Sequence, residues 1–429
     1  MCCQYSLFSA IKFGILKNKL YFCNMKPKVC FLMDSVFSFG GVQRVTAVIA
    51  KQLARSCSVT IVTLDAEQSM DTSLYGLDEA PISYRFFSYP STPRWKALCC
   101  KAYSFLYRKV LPQTPLTSAW YSHSSFPSEK RRALTAELLA GHYDAIVGVH
   151  APLAVRLAAC RRDLEGIRLI GWIHNSYQAL FGKGSLYIGP ELRKHYEWQL
   201  ARLDATVVLC HDDARRYHLP THILYNPLTL TPGPRSAGQS RKFLAVGRFS
   251  RRHKGFDLLI EAFHLFAATN ADWTLDIVGE GEEEPLYRQL ISQYQLEDRV
   301  SIHPFTNNIQ AYYSEAQVYV LSSRWEGFGL VLVEAMAHGL PVVSSDLPTS
   351  QEIMGDFALY FPVGDAAALA ARLQQATRLD WQAKSDEAVS IARRFDVGPI
   401  SRQWHQLLFA SEFSKTGVPP SAESLQASS

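Results

Sequence analysis

The sequence predicts an α/β protein made of two doubly wound, Rossmann-like domains that face each other across a cleft. Three observations carry this. Short apolar runs alternate with helix-period segments through most of the 429 residues, the pattern of parallel strands joined by crossover helices. Residues 226–240, NPLTLTPGPRSAGQS, are rich in Pro, Gly and Ser and have no periodicity, so they read as a linker. Charge also differs across that linker: the chain totals +5, but residues 1–240 carry +12 and residues 241–429 carry −7. A hydrophobic content of 48% and a charged content of 19% exclude a disordered chain.

Before the linker, strands are predicted at 29–33, 59–64, 82–86, 145–149, 169–173, 206–209 and 222–224, with helices at 41–54, 152–160 and 190–202. After it, strands are predicted at 243–246, 274–278, 300–303, 318–321, 341–344 and 359–361. Helices follow at 256–268, 282–295, 309–315, 329–338 and 349–354. The domains are therefore 25–225 and 241–397, and a ligand would sit at strand C-termini facing the cleft. The tail 414–429 is polar and reads as disordered. The apolar start is broken by Lys12, Lys17 and Lys19 and lacks a small-residue cleavage site, so 1–24 reads as an extension outside the fold. A weak interfacial helix is the other reading of 1–24. No run approaches the ~20 apolar residues of a transmembrane helix. The nine cysteines all precede the linker, are odd in number and form no CxxC, which fits reduced thiols in a cytosolic protein.

Four stretches carry chemistry. Gly247-Arg248-Phe249-Ser250-Arg251-Arg252-His253-Lys254-Gly255 follows a strand, precedes a helix and concentrates cations inside the acidic half. Such a turn presents amides and positive charge to an anion, although a solvated charged loop has the same composition. The second stretch runs from Ser322 to Pro341 and holds Glu326-Gly327-Phe328-Gly329-Leu330 at a helix start, with Glu334 further along. At ~1.5 Å rise per residue the two carboxylates are too far apart to share a proton. They suit the two ends of an extended polyhydroxylated ligand; singly, Glu326 could be a cap and Glu334 a favourable helix charge. The third stretch, Phe39-Gly40-Gly41-Val42-Gln43-Arg44, opens a helix after the first strand but is not GxGxxG, and a Gly-Gly turn is often structural. The fourth is Trp172-Ile173-His174-Asn175, where His174 at a strand end either faces the cleft or bonds within its turn. Walker A, HExxH, GxSxG and Asp-x-Asp motifs are all missing from the sequence, so no metal site is predicted and cations and amides must neutralise any diphosphate.

The Gly247-Arg248…Lys254-Gly255 turn, followed by Glu326-Gly-Phe-Gly-Leu-x-x-x-Glu334-Ala-Met-Ala-x-Gly-x-Pro341, resembles the retaining nucleotide-sugar glycosyltransferases of family 4. The resemblance is continuous over most of 241–377. In the first half it rests on the Phe39–Arg44 turn and the alternation of elements. It implies the two-domain GT-B fold and a role in bacterial surface-polysaccharide synthesis. Arg248 and Lys254 would hold the donor diphosphate, and Glu334 the ribose hydroxyls. Glu326, with the amides of Phe328, Gly329 and Leu330, would hold the donor sugar. Gly40 and Gly41 would close near the diphosphate and acceptor, and His174 would contact the donor sugar. Loop 305–309 would meet the base, and a helix in 398–413 would return to the first domain. The implied reaction is transfer with retention, without metal or other cofactor, the nucleotide diphosphate sugar being a co-substrate. A sugar phosphorylase would need a pyridoxal-phosphate lysine site, which nothing here indicates. A non-catalytic nucleotide-sugar-binding or scaffold protein of the same fold is the alternative.

Residues 94–132 hold eight basic residues and one acidic residue, interleaved with Trp95, Leu98, Tyr103, Phe105 and Tyr107. A basic, aromatic, amphipathic stretch suits an anionic membrane surface, although a helix with its apolar face packed inward reads the same way. With the cations on an apolar stripe rather than a polar groove, no nucleic-acid partner is expected. The expectation is a cytoplasmic enzyme, peripheral at the inner face of the plasma membrane, acting on a glycan or glycolipid acceptor.

Overall fold

The computed structural model describes residues 26–185 and 187–409; the extension 1–24 and the tail 414–429 lie outside the described residues. The first sheet is β1 (Lys28–Met33), β2 (Ser58–Thr63), β3 (Ile82–Phe86), β4 (Ala145–Val149), β5 (Arg168–Trp172), β6 (Ala205–Val208) and β7 (His222–Ile223). Its seven strands are all parallel, in the order β3-β2-β1-β4-β5-β6-β7. The second contains β8 (Lys242–Val246), β9 (Thr274–Val278), β10 (Val300–His303), β11 (Val318–Leu321), β12 (Val342–Ser345) and β13 (Leu359–Phe361). These six are also parallel, in the order β10-β9-β8-β11-β12-β13.

Two Rossmann-like α/β domains are thus present, as the alternation of elements predicted. Strands covered by helices on both faces are near-continuous apolar runs, and β4 and β11 are buried along their whole length. In each sheet the chain winds outward in one direction, then returns to the centre and winds the other way. This reversal falls between β1 and β4 in the first sheet and between β8 and β11 in the second. A crevice opens beyond the strand C-termini at such a switch point. Gly40, His150 and His174 follow strand ends of the first sheet, and Gly247 and Ser322 follow strand ends of the second.

Some elements differ from the sequence expectation. The helix expected at 190–202 is a 3-10 turn, Pro190–Leu192, followed by a helix at Arg193–Leu200. The basic stretch 94–132 is a helix Arg94–Lys109, a second helix Pro115–Ser125, and the start of a third, Ser128–Ala140. Thr114 caps the second through a reciprocal box with Thr117. Residues 226–240 contain no helix or strand and lie along the second domain, where the Gly233 amide donates to His338 Nε2 at 3.0 Å and the Leu228 amide to the Phe395 carbonyl at 2.7 Å. The last helix, Val397–Phe409, packs on the first-domain helix Gly41–Leu53, and its buried Trp404 lies 4.5 Å from Trp172.

Candidate active site

Beyond β8 the chain turns through Gly247–Ser250 into a short helix, Arg251–Lys254. That helix ends at Gly255, whose φ is +65° and where a Cβ would lie 2.3 Å from the Ser322 carbonyl oxygen. Only glycine fits a left-handed backbone in such close contact. The contact draws the basic turn against the end of β11, where Ser322 Oγ donates to the Lys254 carbonyl at 2.9 Å. Lys254 then runs across Gly247, where a Cβ would meet its Cε at 2.9 Å, and its Nζ reaches Glu326 Oε1 at 2.6 Å. Ser323 Oγ donates to the same oxygen at 2.7 Å, and His253 Nε2 lies 3.6 Å away. Glu326 is buried, and burial by itself favours the neutral acid. The Lys254 ammonium and His253 outweigh that effect and hold the carboxyl well below the usual carboxylate range.

Around this ion pair the loop is braced. Arg324 places two guanidinium nitrogens 3.0 Å from the two oxygens of Asp257, and Arg251 adds a third contact at 3.0 Å. The His253 ring lies parallel to Trp325, 5° between planes and 3.7 Å between centroids. Tyr187, from the first domain, meets Trp325 edge-on at 5.9 Å. Arg248 is exposed and makes no ion pair with a described residue.

The other end of the motif is a helix, Leu330–Ala337, entered through Gly329 at φ +84°. The amides of Phe328, Gly329 and Leu330 donate to no described residue, so this helix N-terminus presents unpaired N–H groups. The Phe328 ring is buried against Tyr225 and Phe395, which leaves its backbone as the part a ligand could use. Glu334, one turn into the helix, is only 2% exposed. Its carboxylate accepts from Thr229 Oγ1 at 3.2 Å and Tyr313 OH at 3.1 Å, and is paired with Arg44 of the first domain.

Arg44 reaches Glu334 because the Gly40–Gly41 turn lies against the second domain: a Cβ on Gly41 would sit 3.3 Å from Leu330 Cδ1. Gly40 is fixed by donating its amide to Tyr75 OH at 2.8 Å. Nearby, Phe39 meets Phe305 at 5.0 Å, bringing loop 305–309 to the same side of the cleft. His174 closes the opposite wall. Its carbonyl oxygen lies so near Gly327 that a Cβ there would be 2.2 Å away. Its ring is buried against Trp172 (4.3 Å) and His150 (5.4 Å), and its Nε2 has no hydrogen-bond partner. Burial, then the neighbouring His150, depress the His174 pKa well below the ordinary histidine value, so at neutral pH the ring is uncharged.

The structure therefore gathers Lys254, Glu326, the 328–330 amides, Glu334, Gly41 and His174 about one cleft between the domains. Arg248 stands at its exposed rim. Glu326 and Glu334 share no partner, in keeping with two separate ends of a ligand rather than an acid dyad. Sequence reasoning missed the neutralising role of Arg44, which lay within the quoted turn, and the contributions of Ser323, His253, Thr229, Tyr313 and Tyr187. Among the described residues no group of three His, Cys, Asp or Glu side chains could hold a metal ion, and no helix is long and apolar enough to cross a membrane.

Two family models together match residues 39–394. Residues 39–232 match Glycosyltransferase Family 4, and residues 232–394 match Glycosyl transferases group 1. The chain belongs to glycosyltransferase family 4. Among curated relatives, this family 4 chain is 41% identical over 120 residues to an uncharacterized glycosyltransferase of Haemophilus influenzae, covering 28% of the chain and 34% of the relative. It is 27% identical over 188 residues to the lipopolysaccharide core biosynthesis mannosyltransferase LpsB of Rhizobium meliloti, covering 39% and 54%. The chain thus spans roughly a third to a half of the length of these two relatives. Among solved structures, Anabaena HepE in complex with UDP-glucose superposes with a TM-score of 0.67 at 19% identity, covering 89% of the chain and 99% of HepE. At that identity the likeness establishes the fold, which is GT-B.

Proposed function

We propose that the chain is a retaining, metal-independent glycosyltransferase of surface-polysaccharide synthesis (lipopolysaccharide, capsule or exopolysaccharide). It moves a hexose or N-acetylhexosamine from a nucleotide diphosphate sugar, preferably a UDP-sugar, to a lipid-linked glycan at the cytoplasmic face of the membrane. The observation that carries this reading is the buried Lys254–Glu326 pair beside three unpaired helix amides, with a neutral His174 across the cleft. Charge develops on the departing diphosphate during transfer, and fixed cations and amides that need no reorganisation stabilise it best. Lys254 and Arg248 supply that charge. Glu326, ionised and oriented by Ser323, accepts from sugar hydroxyls along with the 328–330 amides. Glu334 accepts from the ribose, Arg44 giving way or sharing that carboxylate. His174, uncharged, offers a hydrogen bond to the sugar without repelling positive charge at the anomeric carbon. The acceptor attacks from the side the diphosphate leaves, which gives retention.

LpsB, named for lipopolysaccharide core synthesis, supports the pathway, and HepE with UDP-glucose supports the donor class. A thermal-shift screen of nucleotide sugars tests the donor, since a ligand at 100 times its Kd adds about 2.7 kcal/mol of stability. Transfer of labelled sugar in EDTA, lost in folded Lys254→Ala and Glu326→Ala variants, tests the chemistry, and the anomeric proton coupling of the product tests retention. Tight donor binding with no turnover across a broad acceptor set would instead identify a nucleotide-sugar-binding scaffold.

A further inference from the structure

Outside the cleft, an open groove of about 790 Å³ lies between helix Arg94–Lys109 and the segment 124–130. Lys101, Arg108, Lys109 and Lys130 line it together with Phe105 and Pro127, and no acidic residue does. Lys101 and Lys109 make no ion pair with a described residue, and Lys130 has only the face of Tyr89 at 5.9 Å. Arg108 is paired with Glu191, and the three lysines leave a local excess of positive charge that attracts an anion. The same helix buries only Tyr107. Trp95 is 71% exposed, Leu98 70%, Phe105 63% and Val110 68%, an apolar rim well beyond scattered surface residues.

We infer that this groove binds the phosphate group of a membrane lipid, the cations taking the phosphate while Trp95, Leu98 and Phe105 enter the acyl boundary. A soluble phosphate would gain nothing from that rim. The inference deepens, and rests on, the reading that the acceptor is lipid-borne. The groove is also tied to the cleft. Arg108 grips Glu191 through Nε (3.1 Å) and Nη2 (2.5 Å), and Glu191 lies four residues beyond Tyr187, which touches Trp325 at the mouth of the donor motif. A lipid anchored in the groove is thereby held beside the loop that flanks the transfer site.

The test is co-sedimentation of the full chain with phosphatidylcholine vesicles, with and without added phosphatidate. Two variants of equal charge change are compared: Lys101→Glu with Lys130→Glu inside the groove, and Arg94→Glu with Arg132→Glu outside it. At about 1 kcal/mol per cation near an anionic surface, both lose some binding. A groove site predicts that the inside pair loses at least about tenfold more than the outside pair. Equal losses overturn the site and leave a diffuse surface attraction. Inorganic phosphate that binds by calorimetry and releases the vesicles at millimolar concentration overturns the lipid assignment. If the charge reversals fail to fold, Lys101→Gln with Lys130→Gln is read on the same scale. Nucleotide-sugar thermal shift of the unaltered chain is run in parallel. A shift without groove-dependent binding removes only this inference, and groove-dependent binding without a shift removes only the transferase reading.

Discussion

The cleft and the helices of residues 94–125 use the same kinds of residue to opposite ends. In the cleft, Lys254 and Arg44 are each locked onto a buried carboxylate, Glu326 and Glu334. On the outer helices Lys101 and Lys109 face solvent with no ion pair to a described residue, and Trp95, Phe105 and Trp120 are exposed rather than packed. Charge held in place before the ligand arrives serves chemistry, because its geometry costs no reorganisation. Charge left free suits the docking proposed for the outer helices, where an adjustable surface meets a variable one. The contrast predicts that cleft substitutions unsettle the fold as well as the function, and that substitutions at the exposed positions of the outer helices leave the fold untouched.

The largest effect is expected at Lys254. Removing one partner of a buried ion pair leaves the other uncompensated, at a cost of about 3–5 kcal/mol. Lys254→Ala should therefore lower the denaturant midpoint sharply, and the double variant Lys254→Met with Glu326→Leu should recover most of that stability while staying inactive. If the single variant melted like the unaltered chain, Glu326 would not be a buried anion and the contrast would fail. Arg44→Ala should cost less, about 2 kcal/mol, because Arg44 is partly solvated and Thr229 and Tyr313 still bond Glu334. The pair joins the two domains, so its loss should also increase the radius of gyration measured by small-angle scattering. Unchanged scattering would mean that the domains are held by other contacts, such as Glu352 with His211 (2.6 Å) and Tyr225 (2.8 Å).

Acid should act on both sides of the comparison, because His195 lies beneath the outer helices, bonded to Ser118 at 2.8 Å. Burial lowers the pKa of His174, of His150 and of His195, the last to about 4. The unfolded chain then binds more protons than the folded one between those values and about 6.5. Stability present above pH 6.5 is thus lost as pH falls toward the folded values, on the order of 1 kcal/mol at pH 5.5 for His195. Glu326, depressed in turn, adds a further loss below the ordinary glutamate range. Melting curves at pH 7.5 and 5.5 check the direction, and His195→Gln should flatten the slope.

What the sequence disclosed follows the range of each interaction. The thirteen strands among the described residues were legible within about a residue because a parallel strand buried on both faces must be largely apolar in its own sequence. Glu326, Lys254 and the 328–330 turn were legible because glycines mark close approach and the motif is contiguous. The Arg44–Glu334 pair was not: its members are 290 residues apart and meet only once both domains exist. Helix Pro115–Ser125 was hidden for another reason. Its sequence, PLTSAWYSHSS, is poor in helix formers, and what holds it is tertiary, Tyr121 stacking on Tyr107 at 4.5 Å and Ser118 bonding His195 at 2.8 Å.

The smallest expected effect is also the sharpest test of the contrast. Trp95 is 71% exposed and Trp120 62%, so neither has a folded environment to lose. Replacing each with Ala should change the unfolding free energy by no more than about 0.5 kcal/mol, the range of surface substitutions that break no named feature. A tryptophan retained there for packing would cost several times more, as large core aromatics do. If Trp95→Ala destabilised the chain by 3 kcal/mol or more, on the order of a core aromatic truncation, the helix would have to pack inward in solution. The outer surface would then be core rather than dock. If the variant melts normally but no longer partitions onto phosphatidate vesicles, the indole is working against lipid and not against protein. That separation of stability from binding is what a free surface allows and a locked cleft does not.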